Sequence, residues 1–557
     1  MSIYVSLTRY MRNTIIRYVD YVASAFVTLS VFLFWYLRYP QALSFHEQYQ
    51  LFLWTWDYFV SDVTHVGGVA DYLSEFVVQF YRLEWAGAAM AAVVTGVLYL
   101  TVVKVLRLRH GRHGLACCLM SLCVTALLIW HQGDENVLFS YVMSMLLTSA
   151  CYLLFRRLPA WADLLVVPCV YWLAGPMVWL YTVLRCVDGK RLHMPLLCVL
   201  TLTVQLLSAR YVLTQWDMES VMYGTTYYRG PRVYPVLQFV IPSVVVLLYA
   251  ASALLRRLDD RHLSLAMSLT AAALAVCADY YGYDKDKYEL IRQDYLIRNE
   301  RWSEVIERAD RYQVNTSFSS VCVNLSLYMT GQLTNRMFSY YQSGKDALVM
   351  PMYRDFLSDI PTMEVFYRLG MVNECMRYAF DLQESILNGK VSGRLTQRVA
   401  ECCIVNGKYK VARKYLDMLE KSLFYAAWAK EARTYLGREQ WIDAHPTWGK
   451  MRKRRYKEDF LYSYGEIDKM FAILFKNDTD NRMALEYFMA QLLLNGDAKA
   501  FQYYLPLARQ YGGYSVMPYV YQDAVRCMGR EQDMKASPYG RYVIRMMNSN
   551  SQADNAR

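Results

Sequence analysis

A chain of 557 residues, 55% hydrophobic and 15% aromatic, has room for two or three domains. Its formal charge of +11 does not imply nucleic-acid binding, because in a membrane protein surplus Lys and Arg set orientation. Thirteen cysteines, with no CxxC spacing and no histidine at ligand spacing, argue against a zinc site. Their odd number, without obvious pairing, argues against an oxidising compartment for the polar half of the chain.

The chain has two unlike halves. Up to about Cys277 it consists of apolar runs separated by short polar islands; after Asp279 it is charged, tyrosine-rich and free of long apolar runs. The N-terminus carries Arg9, Arg12 and Arg17, and the apolar run 22–37 leads into "RYPQAL" with no small-residue cleavage site. It therefore reads as a retained signal anchor. Further spans are expected at about 86–106, 115–130, 137–155, 194–208, 236–255 and 263–278, each able to cross a core of roughly 30 Å. The segment "DLLVVPCVYWLAGPMVWLYTVL" (163–184) is either one span or two short helices broken at Gly175-Pro176, where Pro lacks an amide donor and disfavours helix before it.

Positive charge decides between these. With a broken pair, 15 basic residues face the cytoplasm and five (Arg38, Arg82, Arg210, Arg229 and Arg232) face outward; with one span the split is 12 against eight. The positive-inside rule favours the pair. The fold expected is all-α: a polytopic membrane domain over 1–279, with 8–9 segments and a large first outer loop 38–85, then a soluble α-solenoid over 280–545 and a disordered tail 546–557. The localisation expected is the bacterial inner membrane, with the C-terminal domain on the periplasmic side.

In the polar half a small or polar turn followed by an amphipathic helix recurs, as in "TGQLTNRMFSYY", "LGMVNECMRYAF", "NGKYKVARKYL" and "NGDAKAFQYYL". Turn glycines at 331, 370, 407 and 496 are 39, 37 and 89 apart, the period of stacked helical hairpins. "NGKYKVARKYL" resembles the tetratricopeptide inter-helix turn, with Ala412 as the small residue that lets two helices approach. Such an array implies a concave, aromatic-lined surface for a peptide or protein partner. The run "KMRKRRYK" (450–457) is either a solvated helix face or a lipid-headgroup contact.

No phosphate loop, Rossmann fingerprint, HExxH or GxSxG is present. Polar residues instead gather on the outer islands: His46 and Glu47 in "LSFHEQYQLF", then Asp57, Asp62, His65, Asp71, Glu75 and Arg82, then Asp134 and Glu135 in "HQGDEN". In 71–82 the pattern predicts a helix with Leu73, Phe76, Val77 and Phe80 on its apolar face and Glu75, Gln79 and Arg82 on its polar face. Residues 1–280 resemble the multi-span glycosyltransferases of the GT-C type, which use polyprenyl-phosphate-linked sugars at the outer face. That resemblance implies Glu47 as general base with His46 beside it. It further implies Arg82, Arg210, Arg229 and Arg232 on the phosphate leaving group. Asp134 and Glu135 would hold a divalent cation or orient the acceptor. No DxD motif is present within residues 1–280, so neither the catalytic acid nor a metal requirement is fixed. The whole chain also resembles an uncharacterised bacterial family of multi-span membrane proteins with tetratricopeptide-like tails, which implies no activity. A non-catalytic membrane-anchored scaffold for envelope proteins is the alternative.

Overall fold

The computed structural model describes residues 2–110, 115–189, 193–224, 235–255, 257–353, 355–386, 388–456, 462–529 and 531–555. All regular elements among them are helical. The chain divides into two compact units: Met1–Lys285 with Lys421–Phe424, and Asp286–Glu420 with Tyr425–Arg557. A helix over Pro538–Asn555 occupies most of the stretch expected to be a disordered tail.

The first unit contains α1 (Ser2–Leu33), α2 (Pro40–Glu47), α3 (Trp56–Val63), α4 (Gly68–Val78), α5 (Glu84–His110), α6 (Ala116–Gln132) and α7 (Ser140–Phe155). It continues with α8 (Asp163–Ala174), α9 (Val178–Asp188), α10 (His193–Tyr211), α11 (Met218–Tyr223), α12 (Leu237–Leu255) and α13 (Asp260–Tyr281). By length and composition six segments among the described residues are long and apolar enough to cross a membrane, including Ala160–Asp188, which marks the chain as a membrane protein. That segment is not one rod. Gly175 adopts φ +60° between α8 and α9, and Arg185 Nε lies 3.1 Å from Asp163 Oδ1. Twenty-two residues of continuous helix would separate these side chains by about 33 Å. The arms therefore fold back as a hairpin, and Arg185 locks its base by donating also to the carbonyls of Arg156 (2.5 Å) and Leu158 (2.6 Å).

Followed in order, the helices alternate between two ends of the bundle. At one end Arg38 meets Asp279 at 3.6 Å, Gly133 packs on the Gly282 carbonyl, Tyr141 donates to the Gln238 carbonyl, and Gly67 donates to the Trp172 carbonyl beside the hairpin tip. At the other end Arg107 pairs with Asp20, and the Tyr152 and Tyr249 hydroxyls both donate to Asp188 at 2.5 and 2.7 Å. The last helix, α13, thus delivers the chain at the end that carries α2. Polarity is inverted relative to a soluble bundle. Phe26, Leu165, Leu196, Leu247 and Leu269 point outward, while Thr148, Ser149, Thr201 and Gln205 are fully buried. Packing of polar groups between helices, with aliphatic groups outside, suits lipid as solvent.

The second unit is built on a repeated turn. The amides of Arg301, Gln332, Met371, Lys408 and Asp497 each donate to the carbonyl five residues back, at 2.6–2.9 Å. This closure needs a left-handed residue just before the donor, and Gly331, Gly370, Gly407 and Gly496 supply it, with Glu300 (φ +56°) in the same place in the first turn. Gly437 (φ +78°) makes a further turn inside the long gap between 407 and 496. Successive helices pack on one another from Ile360 to Arg433. The array is not a one-dimensional stack, because later helices return to earlier ones. Asn481 donates to the Leu369 carbonyl, Gln491 to that of Lys345 and Arg545 to that of Gln342.

Three arginines of the basic run are used in this closure, while Lys450 and Lys453 are exposed. Arg452 reaches Asp443 (3.2 Å) and Tyr409 (2.6 Å), Arg454 the Arg368 carbonyl (2.7 Å), and Arg455 the Val405 carbonyl (3.2 Å). Lys457 lies outside the described residues. One consequence is measurable. Ala at 331 meets only the left-handed strain of about 1–2 kcal/mol, because nothing lies within 4 Å. Ala at 370 would also place its Cβ 2.5 Å from Arg454 Cβ and 3.0 Å from its carbonyl carbon. Gly370→Ala is expected to lower the melting temperature of the purified chain clearly more than Gly331→Ala. Equal shifts would show that the contact with Arg454 yields freely.

Candidate functional site

The stretch "LSFHEQYQLF" is interior. Pro40 starts α2, where its missing amide hydrogen costs nothing, and α2 packs on α5 and on the 3-10 turn Gln79–Arg82. From Leu43 to Phe52 every residue is buried except His46, which is half-buried. Glu47 is 3% exposed. Burial lowers the His46 imidazole to about 4, against an opposing pull from the Glu135 carboxylate. Near neutral pH it is therefore an uncharged donor–acceptor beside a carboxylate. The Tyr49 hydroxyl donates to the Glu135 carbonyl at 3.3 Å, so the first two polar islands meet here.

The other expected site residues divide. Asp134 accepts from the Asn136 amide (2.9 Å) and from Asn136 Nδ2 (3.2 Å), a local turn in which the carboxylate replaces a backbone acceptor. Glu135 accepts from Asn136 Nδ2 at 3.2 Å. Arg82 sits exposed on the turn that α2 packs against, and Arg210 is exposed near the end of α10. Arg229 and Arg232 lie outside the described residues. Among the described residues no group of three His, Cys, Asp or Glu could hold a metal ion.

The orientation expected for 71–82 holds for Val77, which is buried, and for Arg82, which is exposed, but not for three other residues. Glu75 and Gln79 are buried and Leu73 is exposed. The Tyr58 hydroxyl donates to the Glu75 carboxylate, Gln50 Nε2 donates to the Glu75 carbonyl at 2.7 Å, and Asp62 is 3% exposed. Burial, then the charges of Glu75 and Asp62, push the Tyr58 phenol up. This acid cluster is a second candidate that the sequence reading did not single out. Its signal lay in Gly68, where a Cβ would stand 1.7 Å from the Asp62 carbonyl oxygen: the glycine permits the chain to fold the acid inward.

The model of a family described as "Family of unknown function (DUF6057)" matches residues 14–552. The chain belongs to that family. No curated protein and no solved structure matches it significantly. The DUF6057 match runs through both compact units. It assigns no chemistry to the His46–Glu47–Glu135 group.

Proposed function

We propose that this protein is a GT-C-like glycosyltransferase of the bacterial inner membrane, using a polyprenyl-phosphate-linked sugar at the outer face. On this reading the tetratricopeptide-like helical array is periplasmic and recruits the acceptor or a protein partner. One observation carries it: a buried glutamate, Glu47, beside a histidine within electrostatic reach of Glu135, at the bundle end where α13 hands the chain to the second unit. Glu47 acts as general base, removing the acceptor proton as the acceptor attacks the anomeric carbon. Arg82, Arg210, Arg229 and Arg232 supply positive charge for the phosphate leaving group. Asp134 and Glu135 orient the acceptor or hold a divalent cation.

Glu47→Gln keeps the shape and removes the base. It is expected to lower sugar transfer from a polyprenyl-phosphate donor by about 100-fold or more without changing the melting temperature. Full complementation of a deletion strain by this variant would falsify the assignment. The second reading is a non-catalytic scaffold for envelope assembly. It is favoured by the local structural employment of Asp134 with Asn136, and it predicts that Glu47→Gln is silent while surface changes in the helical array are not.

A further inference from the structure

The second unit holds a pair of thiols that sequence spacing did not reveal. Helices Val372–Glu384 and Gly393–Val405 are consecutive and packed on each other. The Sγ atoms of Cys375 and Cys402 lie 3.7 Å apart across that contact, and both side chains are fully buried. A disulfide needs about 2.05 Å between sulfurs, so closure takes a combined shift of roughly 1.6 Å.

We propose that Cys375 and Cys402 are a latent disulfide that closes when this half of the chain folds in an oxidising compartment. The inference rests on the outer placement proposed above. The oxidant is a dithiol–disulfide oxidoreductase in its disulfide form. One thiolate of the pair attacks a carrier sulfur, and the carrier's other sulfur leaves as a thiolate. The second protein thiolate then attacks the mixed disulfide and releases the carrier dithiol. Two electrons and two protons pass to the carrier, and one S–S bond forms in the protein. Burial holds the Cys402 thiol well above its ordinary range, so the native core resists both attack and later reduction. The reaction thus belongs to folding, before the core closes. Of the five cysteines in this half, Cys322, Cys403 and Cys527 are then left as buried thiols.

The test uses the full chain. Cells are acid-quenched, free thiols are blocked with N-ethylmaleimide in denaturant, and the protein is digested without reduction. The expected product is a linked Cys375–Cys402 peptide pair that reduction separates. In parallel, Tyr503→Cys, at a position 77% exposed, is probed with a membrane-impermeant maleimide in cells whose cytoplasmic membrane is intact. Labelling at 503 together with maleimide on both Cys375 and Cys402 overturns the disulfide and leaves the outer placement standing. No labelling at 503 overturns the placement. In that case the full chain, unfolded in denaturant and refolded into detergent with dipyridyl disulfide present, decides the pairing. A 375–402 link with release of two thiopyridones supports it, and separate pyridyl adducts on each sulfur overturn it.

Discussion

Arg394→Met is expected to destabilise the second unit by about 3–5 kcal/mol, the usual cost of removing one partner from a buried ion pair. Arg394 Nη1 donates to both carboxylate oxygens of Asp294 at 2.9 Å, and Nη2 to Glu364 at 3.1 Å. All three side chains are less than 10% exposed. Arg398 completes the group, reaching Glu364 at 2.8 Å and Glu401 at 2.6 Å while stacking 3.8 Å above the Tyr367 ring. The substitution leaves Asp294 charged in the core, so pairing it with Asp294→Leu should return much of the loss. Calorimetry or thermal unfolding of the purified chain reads both; a double variant no better than the single one would contradict the account.

The same network sets an acid limit. Burial alone would raise Glu364, but Arg398, Arg394 and Arg368 outweigh it and hold the carboxyl at about 2, below its ordinary 4.5. A depressed carboxylate contributes stability that is complete above the unfolded value and lost as pH falls through the folded one. The window is therefore pH 4.5 down to about 2. Glu401, raised by burial against the pull of Arg398, runs the other way, because protonating it relieves a penalty. Stability of the wild type should fall through this window, and the fall should be shallower in Glu364→Gln.

Arg185→Leu is the second large effect, expected to cost about 3–5 kcal/mol and to open the base of the α8–α9 hairpin. It takes the guanidinium from Asp163, 2% exposed, which the Tyr181 hydroxyl also reaches at 2.8 Å. It also frees the carbonyls of Arg156 and Leu158. The loss should appear as lowered melting in detergent and as new protease cleavage near 158–163. Adding Asp163→Leu should restore most of the melting temperature but not the hairpin base, since the two carbonyls remain unserved. A variant as stable and protease-resistant as the wild type would mean the arms are held by packing alone.

Local chemistry made part of this molecule legible without coordinates. Apolar length announced the spans, Gly175-Pro176 announced the break, and Gly331, Gly370, Gly407 and Gly496 announced the turns. Each is a property of a few adjacent residues: hydropathy, a missing amide hydrogen, tolerance of positive φ. The first turn, in "RNERWSEVIERA" (298–309), was legible from the same pattern of a polar turn before an amphipathic helix, although there Glu300 takes the left-handed conformation without glycine.

The rest depended on which surface faces which. Glu75 and Gln79 were assigned outward by a rule for water-facing helices, yet they point inward, because the outside of this bundle is a poorer place for polar groups than its interior. "LSFHEQYQLF" reads by itself as a polar exit from lipid, and only packing against α5 and the turn Gln79–Arg82 makes it a buried stretch of candidate chemistry. The meeting of His46 with Glu135, of Arg394 with Asp294 and of Cys375 with Cys402 joins residues 27 to 100 positions apart. No local period encodes such meetings. They follow from helices that must bury their faces against one another, and that choice is made in three dimensions.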